Sequence, residues 1–509
     1  MGADKNDESP EVVTASGRVR GKREGELAVF RGIPFAAPPV GPDRFAAPRP
    51  AARWDGVRDA VAFGPPVPQE TPEPVTDSAG DEWLTVNVWT PAPDSRALRP
   101  VMVWIYGGAY KYGSASQGSY DGRLLAAEGD VVVVTFNYRV GMEGFAAIEG
   151  APANRGLLDQ VAALEWVREN IAAFGGDPEL VTVFGESAGA GGVAALLAMP
   201  AARGLFRRAI AQSVPSTYFS GELADDIGRE LAAGLGLRPT VRDLGQLEPG
   251  KLATAGALLA LRMREYEQRW GVVAYTTTPF SPVVDGEVLP RSPWRALADG
   301  AAREVELIVG HTRDEYRLFL GFAGQLGKIT EEQAGEMLRA MGPGSDPEGA
   351  YRAALPEASA ELLYERVQSD WLFRMPSLRL AEAHVGAGGS AHVYDLTYAA
   401  PANGGALGAC HGMDVSLTFG VFDRLGLGGM LFGPDVPPEA EAISAWWRRA
   451  WTNFATTGDP GWPGYDTARR STCVIDVEPT TAAYPEEVSR QLWEQEVFDT
   501  LPLNGDGAR

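Results

Sequence analysis

The chain is poor in cysteine and in histidine. Its 509 residues include only two cysteines, Cys410 and Cys473, and four histidines. Two cysteines exclude a disulfide framework and a cysteine-rich metal cluster. Because only four imidazoles are present, any histidine-dependent chemistry has few candidates.

The sequence also has no long hydrophobic run. Residues 1–11 are polar and charged, so we expect a disordered segment there and no signal peptide. No apolar run reaches the roughly 20 residues that a membrane-spanning helix needs. We therefore expect a cytoplasmic protein with no membrane partner.

Basic residues are fewer than acidic residues. Lys and Arg total 45 against 67 Asp and Glu, which gives a formal net charge of −22. Nucleic-acid binding proteins neutralise phosphates with a basic surface, so a nucleic-acid partner is not expected. We interpret the acidity as that of a well-solvated surface.

The most informative stretch is residues 179–200, ELVTVFGESAGAGGVAALLAMP. An apolar, β-branched strand pattern precedes Gly-Glu-Ser-Ala-Gly, and a helix pattern rich in small residues follows it until Pro200. Strand, Gly-x-Ser-x-Gly and helix together predict a nucleophile elbow with Ser187 at its tip. Gly185 and Gly189 would let neighbouring backbone pass closely. The alternative is a Gly-rich loop that happens to contain a serine.

Strand and helix patterns alternate along most of the chain. Continuous apolar runs predict buried strands at 101–106, 130–137, 208–213, 305–310 and 391–397, and helix patterns cover 156–174 and 440–454. This alternation predicts an α/β fold with a mostly parallel sheet.

We predict a single domain. A length prior of about 150 residues per domain would give three, but the candidate catalytic segments are spread over most of the chain. The prediction is one domain over residues 12–503, with helical insertions around 221–280 and 318–390, and a frayed tail at 504–509.

A serine nucleophile needs a base and an acid. In this fold class the chain order is Ser, then acid, then His, which selects His411 in a loop after the last predicted strand. His384 is expected to cap a helix, and His392 to be structural. The acid lies on the segment GHTRDE, where the residues alone leave Asp314 and Glu315 open.

The oxyanion of an acyl-transfer reaction also needs hydrogen-bond donors. Gly107-Gly108-Ala109 follows an early strand, where esterases place a Gly-rich oxyanion loop. The N–H groups of Gly108, Ala109 and Ala188 would form a hole with three donors. The alternative is a simple turn at a strand end.

Several long segments, in order, match one family. They include FRGIPFAAPPVGPDRFAAP, VMVWIYGGAY, NRGLLDQVAALEWVRENIAAFGGDP, VTVFGESAGAGG, GHTRDEYRLF, ACHGMDVSLTFG and WTNFATTGDPGWP, between about residues 12 and 465. The chain resembles the type-B carboxylesterase and cholinesterase family of α/β-hydrolases. It is most similar to its bacterial carboxylesterases of the para-nitrobenzyl esterase kind.

The resemblance implies a role for each matching residue. Ser187 is the implied nucleophile, His411 the base, and Glu315, rather than Asp314, the acid. The residues that match the oxyanion donors are Gly108, Ala109 and Ala188. Ser213 matches a serine beside the acid, and Glu186 a carboxylate that shapes the electrostatics of the site.

Some residues depart from the family pattern. Tyr106 and Ala109 replace a His and a Gly, which leaves the backbone N–H groups intact. Tyr316 stands where a Gly usually follows the acid, so the backbone there is expected to differ. Val67 and Trp83 occupy positions of a disulfide in eukaryotic members, in keeping with a reducing compartment.

The sequence therefore predicts a serine carboxylesterase that acts on small-molecule esters through an acyl-enzyme, as a monomer and without a metal or organic cofactor. An amidase or carbamate hydrolase using the same site is one alternative, and a non-catalytic binding protein is another. The pocket is expected to be apolar and aromatic, and its candidate wall residues are Tyr110, Phe280, Phe319 and Trp371.

Overall fold

The computed structural model describes residues 9–70, 79–93, 98–422 and 426–505. Of the segment 1–11 predicted to be disordered, residues 1–8 lie outside the described residues, and a strand begins at Glu11. Of the tail 504–509 predicted to be frayed, residues 506–509 lie outside them, and the Asn504 N–H donates to the carbonyl oxygen of Arg269. The assignment of 12–503 to one domain stays a prediction.

An eleven-stranded sheet forms the centre of the molecule. Its strands, in chain order, are β1 Lys22–Glu24, β2 Leu27–Pro34, β3 Thr85–Thr90, β4 Arg99–Ile105, β5 Val132–Phe136, β6 Gly176–Glu186, β7 Arg208–Gln212, β8 Glu306–Thr312, β9 Ala391–Leu396, β10 Ser471–Ile475 and β11 Thr480–Ala483. Their spatial order is β1-β2-β3-β5-β4-β6-β7-β8-β9-β10-β11. All neighbours from β5 to β10 are parallel.

Two small sheets lie outside this sheet. One joins Glu11–Val13, Arg18–Arg20 and Val57–Asp59, and the other joins Phe219–Ser220 to Val283–Val284. The second lies at the start of the predicted insertion around 221–280, where it ties the two ends of that insertion together.

Helices occupy most of the connections between the strands, singly or in groups. They are α1 Arg123–Gly129, α2 Gly141–Phe145, α3 Arg155–Asn170, α4 Ala188–Ala198, α5 Gly221–Gly234, α6 Val241–Leu244, α7 Pro249–Ala260, α8 Glu267–Trp270, α9 Pro293–Ala298, α10 Arg317–Phe322, α11 Glu331–Met341, α12 Pro347–Ala354, α13 Ala360–Ser369, α14 Met375–Gly386, α15 Met413–Phe419, α16 Leu427–Phe432, α17 Pro438–Thr457 and α18 Glu487–Leu492. A π-helical turn, Asp370–Arg374, joins α13 to α14.

Both faces of the central strands are covered. In β4 and β5 the side chains from Val101 to Ile105 and from Val132 to Phe136 are all fully buried. Since successive side chains of a strand point to opposite faces, burial of every residue requires helices on both sides. One group of helices, α3, α4, α9 and α14, packs together, and α1, α15 and α17 form another. The predicted α/β fold with a mostly parallel sheet is confirmed.

Ser187 occupies the sharp turn between β6 and α4. Its φ and ψ are 56° and −124°, a backbone conformation that non-glycine residues rarely adopt. The flanking glycines allow the close approach, because a Cβ on Gly185 would lie 2.7 Å from the carbonyl oxygen of Ile105. A Cβ on Gly189 would overlap the same oxygen.

We expect Gly189→Ala to destabilise the protein, because the added methyl group overlaps backbone that cannot swing away. Overpacking of this kind typically costs about 1–3 kcal/mol. The free energy of unfolding from urea titration measures the loss.

Gly250→Ala is the matched control. Gly250 also lies in a helix, α7, but a Cβ there meets no atom within 4 Å. This change should raise the free energy of unfolding by about 0.5–1 kcal/mol, through helix propensity. Equal stability of the two variants would contradict the role given to the close approach at Gly189.

Candidate active site

The predicted site residues converge at the carboxyl edge of the sheet. Gly108 follows β4, Ser187 follows β6, Ser213 follows β7, Glu315 follows β8, and His411 lies on the loop after β9. In open α/β sheets the ends of adjacent parallel strands meet at one edge, where ligands bind. Residues far apart in the sequence therefore become neighbours.

A continuous chain of hydrogen bonds joins Ser187, His411 and Glu315. His411 Nε2 lies 2.9 Å from Ser187 Oγ, and His411 Nδ1 lies 2.6 Å from Glu315 Oε2. Glu315 is fully buried and His411 is 5% exposed. In this arrangement the imidazole accepts a proton on the serine side while the carboxylate fixes its tautomer.

The second oxygen of Glu315 is fixed as well. Ser213 Oγ donates to Glu315 Oε1 at 2.6 Å, and the Thr312 N–H donates to the same atom at 2.9 Å. Burial acts to raise the pKa of Glu315, but the charge of His411 and these hydrogen bonds together hold that pKa below its ordinary value. The carboxylate is thus kept ionised and in one orientation.

Asp314 points elsewhere. Its Oδ2 accepts a hydrogen bond from the Ala409 N–H at 2.9 Å and pairs with Arg313 at 2.9 Å. Tyr316 has φ −77° and ψ −9°, an ordinary helical conformation, and its N–H donates to Ser369 Oγ. The family's glycine at this position is therefore not needed here, and Tyr316 does not displace Glu315.

The loop after β4 packs against the turn that carries Ser187. A Cβ on Gly107 would lie 2.9 Å from the carbonyl oxygen of Glu186. Gly108 and Ala109 both have positive φ, 108° and 54°. Ala188 is the first residue of α4, where backbone N–H groups have no partner within the helix. The residues of the three candidate donors thus line the same cavity as Ser187.

Three buried carboxylates surround His411. Besides Glu315, Glu186 Oε1 lies 3.1 Å from His411 Nε2, and Asp414 accepts hydrogen bonds from Gln212 and Tyr394. Burial and the charges of Asp414 and Glu315 raise the pKa of Glu186, against the opposing effect of His411. Burial acts to lower the pKa of His411, but Glu186 and Glu315 outweigh it and raise that pKa.

The site opens into a deep cavity that we call the gorge, which contains Ser187 and His411. Its volume is about 570 Å³, within the range typical of small-molecule sites, about 300–1,000 Å³. Its aromatic wall residues are Tyr110, Tyr112, Tyr120, Tyr275, Tyr316, Phe319, Phe322, Trp371 and Phe373. Such a wall favours apolar ligands.

Sequence reasoning missed the rings that hold His411. The Phe373 ring stacks on the imidazole with centroids 4.2 Å apart and an interplanar angle of 24°, and Phe319 approaches at 5.3 Å. Phe373 belongs to the π-helical turn, and no local pattern marks such a turn. For Asp414, the only sequence signal of a place near His411 was its proximity to that residue along the chain.

Two predictions about other residues are wrong. His384 does not cap its own helix, because its Nε2 lies 2.9 Å from the carbonyl oxygen of Val305, at the start of a neighbouring strand. Tyr110, Phe319 and Trp371 line the gorge as expected, but Phe280 lines a different cavity beside it. The position of Phe280 depends on how an insertion packs, which a local sequence pattern does not encode.

Metal-binding clusters and membrane-spanning helices are both absent from the described residues. Within residues 9–70, 79–93, 98–422 and 426–505, no cluster of three or more His, Cys, Asp or Glu side chains is arranged to hold a metal ion. None of the described helices combines the length and the apolar character needed to cross a bilayer.

The chain is similar to known proteins in sequence and in fold. The model of the carboxylesterase family matches residues 8–345. The para-nitrobenzyl esterase of Bacillus subtilis (strain 168) is 38% identical over 94% of this chain and 97% of its own length. The phenmedipham hydrolase of Pseudarthrobacter oxydans is 35% identical over 89% and 90%. The crystal structure of the Geobacillus stearothermophilus carboxylesterase EST55 has a TM-score of 0.84 and 36% identity over 95% and 99%.

The sheet and the position of the site at its carboxyl edge define an α/β-hydrolase. The structural likeness to EST55 extends over nearly all of both chains. The chain belongs to the carboxylesterase family. It is a carboxylic ester hydrolase, and the resemblance inferred from the sequence is confirmed.

The environment of His411 predicts a shifted pH profile. His411 must be neutral to accept a proton, so turnover falls as the pH drops through its raised pKa. Glu186→Gln removes a nearby negative charge that stabilises the imidazolium. We expect the acid limb of the kcat/KM profile to move to lower pH by about one unit, since a charge at this distance shifts a pKa by about 1–3 units.

Glu179→Gln is the matched control, because Glu179 lies on the same strand but is exposed at its far end. Its profile should superimpose on that of the wild type. An acid limb that stays in place in Glu186→Gln would show that Glu186 does not set the pKa of His411.

Proposed function

We propose that the chain hydrolyses esters through an acyl-enzyme formed on Ser187. His411 is the general base and acid, and Glu315 orients it and stabilises its cation. Ser213 holds Glu315, and Glu186 adjusts the electrostatics of His411. The observation that carries this proposal is the unbroken series of contacts from Glu315 through His411 to Ser187.

The reaction has two matched halves. His411 Nε2 takes the proton of Ser187 Oγ as that oxygen attacks the ester carbonyl, and a tetrahedral intermediate forms. The intermediate collapses when the bond to the alcohol oxygen breaks and His411 returns the proton to the departing alcohol. Water then repeats the sequence on the acyl-enzyme, which releases the acid and restores the serine hydroxyl group.

The negative charge of each intermediate needs fixed donors. The backbone N–H groups of Gly108, Ala109 and Ala188 fill this role in the proposal. Support comes from the strained conformations of this loop and from the position of Ala188 at a helix start. Because these dipoles are oriented before the reaction, they stabilise the charge without reorganisation, and one such donor contributes about 10²–10³ in kcat.

The proposal extends to the setting in which the enzyme works. Both cysteines, Cys410 and Cys473, are free and buried. Unpaired thiols fit a reducing compartment, so we propose a cytoplasmic location. A monomeric state stays a prediction, which sedimentation or light scattering tests directly.

Ser187→Ala should abolish turnover of para-nitrophenyl acetate, because it removes the hydroxyl oxygen that contacts His411 Nε2. The variant should keep the melting temperature of the wild type within a few degrees. In the wild type, a burst approaching one equivalent of nitrophenol per chain is expected under conditions where deacylation is the slower step. Full activity in a folded Ser187→Ala variant would refute the mechanism.

Glu315→Gln should lower kcat by about ten-thousandfold with little change in KM, because an amide stabilises the wrong imidazole tautomer and leaves the cation without a partner. Stopped assays on one activated ester, at an enzyme concentration high enough to detect the residual rate, give both constants.

Asp314→Asn is the neighbouring control, since the Asp314 carboxylate pairs with Arg313 and does not contact His411. It should retain kcat within about tenfold, as a loop charge acts only through the screened field. If Asp314→Asn were the inactive variant and Glu315→Gln nearly normal, the assignment of the acid would be reversed.

A further inference from the structure

A second cavity of about 260 Å³ lies beside the gorge, and we call it the annex. Its walls come from helix α7, from the start of α2 and from the segment before the strand Val283–Val284. The apolar residues that define it are Met142, Leu252, Ala257, Ala260, Leu261 and Phe280. These side chains offer a continuous hydrocarbon surface.

The annex and the gorge are separated by a thin partition. Lys111, Tyr112 and Thr277 line both cavities, so these residues lie between them. Among the described residues, the Lys111 side chain makes one hydrogen bond across the partition. Its Nζ donates to the carbonyl oxygen of Thr277 at 2.7 Å. The ammonium group also lies 5.8 Å from the centroid of the Tyr112 ring. These two contacts of a flexible, four-carbon side chain can open without a change in the fold.

Lys111 is poorly stabilised in this position. The side chain is only partly exposed, and this partial burial lowers the pKa of its ammonium group to about 8. Within the described part of the chain no carboxylate lies within ion-pair distance of it. Movement of Lys111 toward solvent would therefore restore hydration of the charge and open the partition.

The polar residues of the annex do not disfavour an apolar ligand. Glu143 is buried and its Oε1 accepts hydrogen bonds from Arg44 at 2.6 Å and 3.0 Å, while Glu70 accepts one from Thr254. The other oxygen of Glu143 makes no hydrogen bond to a described residue, but it is buried and has no surface open to the cavity. Leu261 lies at the rim with 82% of its surface exposed.

We propose that the annex receives the distal end of a long, unbranched alkyl chain of an ester whose carbonyl lies at Ser187. Lys111 leaves Thr277 to admit the chain. This inference rests on the proposed function and adds a substrate class, long-chain aliphatic esters. The chain enters from either the acyl or the alcohol side, since both present the same hydrocarbon.

Burial of hydrocarbon in the annex should appear as a gain in kcat/KM with chain length. Each methylene transferred from water to an apolar cavity contributes about fourfold. The gain applies over the chain lengths at which the end of the chain enters the annex, and it stops when the annex is full. Binding energy from such a remote part of the substrate also favours the transition state.

The test measures kcat/KM for para-nitrophenyl esters of linear acids from two to fourteen carbons and for alkyl acetates of matching length. The two series distinguish the acyl side from the alcohol side. Ala257→Phe fills the annex without touching the gorge. We expect the ratio of long-chain to butyryl kcat/KM to fall about tenfold or more in this variant, which corresponds to the exclusion of about two methylenes.

Leu258→Phe is the control on the same helix. Leu258 is 58% exposed and does not line the annex, so its chain-length profile should match that of the wild type. Ala257→Leu, a smaller change, guards against misfolding of Ala257→Phe, and melting temperatures identify which variants are folded. It should produce a smaller fall in the same ratio.

Three results would overturn the inference: a wild type that gains nothing with chain length, a folded Ala257 variant with the profile of the wild type, and an equal loss at every length. Each of these leaves the proposed mechanism intact, as long as hydrolysis of the short ester still depends on Ser187. Loss of that dependence would instead refute the mechanism.

Discussion

The structure depends on one close approach, between the backbone at the end of β4 and the turn that carries Ser187. Gly185 and Gly189 both lie against the carbonyl group of Ile105, with no room for a side chain. Since β4 and β6 are adjacent and parallel, the loops that leave them meet at the same edge. This contact brings the candidate donors Gly108 and Ala188 to the serine, because helix α4 begins where the loop after β4 arrives. The strain at Ser187 is balanced by the packing of these two strands, which are buried at their carboxyl ends.

The second constraint is electrostatic. The site must stabilise a charge that burial alone would disfavour. A buried imidazolium is unfavourable in a medium of low dielectric constant, yet the proposed mechanism requires His411 to become one. Of the three neighbouring carboxylates Glu186, Glu315 and Asp414, Glu315 supplies a fixed compensating charge, and the Phe373 ring stacks on the imidazole. Only Glu315 is fixed by hydrogen bonds to both oxygens and kept ionised, whereas burial raises the pKa of the other two. The carboxylates therefore differ in task because they differ in hydrogen bonding.

More of the first constraint than of the second could be predicted from the sequence. The elbow is local, so Gly185, Ser187 and Gly189 with their flanking strand and helix could be predicted from one stretch. The choice between Asp314 and Glu315 could not, because it depends on which carboxylate turns inward after β8; only the family resemblance favoured Glu315. The stacking of Phe373 arises from a π-helical turn and long-range packing, which leave no periodic signal. The same reason explains the wrong predictions for His384 and Phe280.

The loop after β4 connects the chemistry to the shape of the binding region. The N–H groups of Lys111 and Tyr112 donate to the carbonyl oxygen of Gly108, and the N–H of Gly141 donates to that of Tyr110. Lys111, Tyr112 and Gly141 also line the annex. One side of the loop thus presents the candidate oxyanion donors, and residues bonded to its other side form a cavity wall. The candidate donors and the wall of the annex are therefore joined by a few backbone hydrogen bonds within one loop.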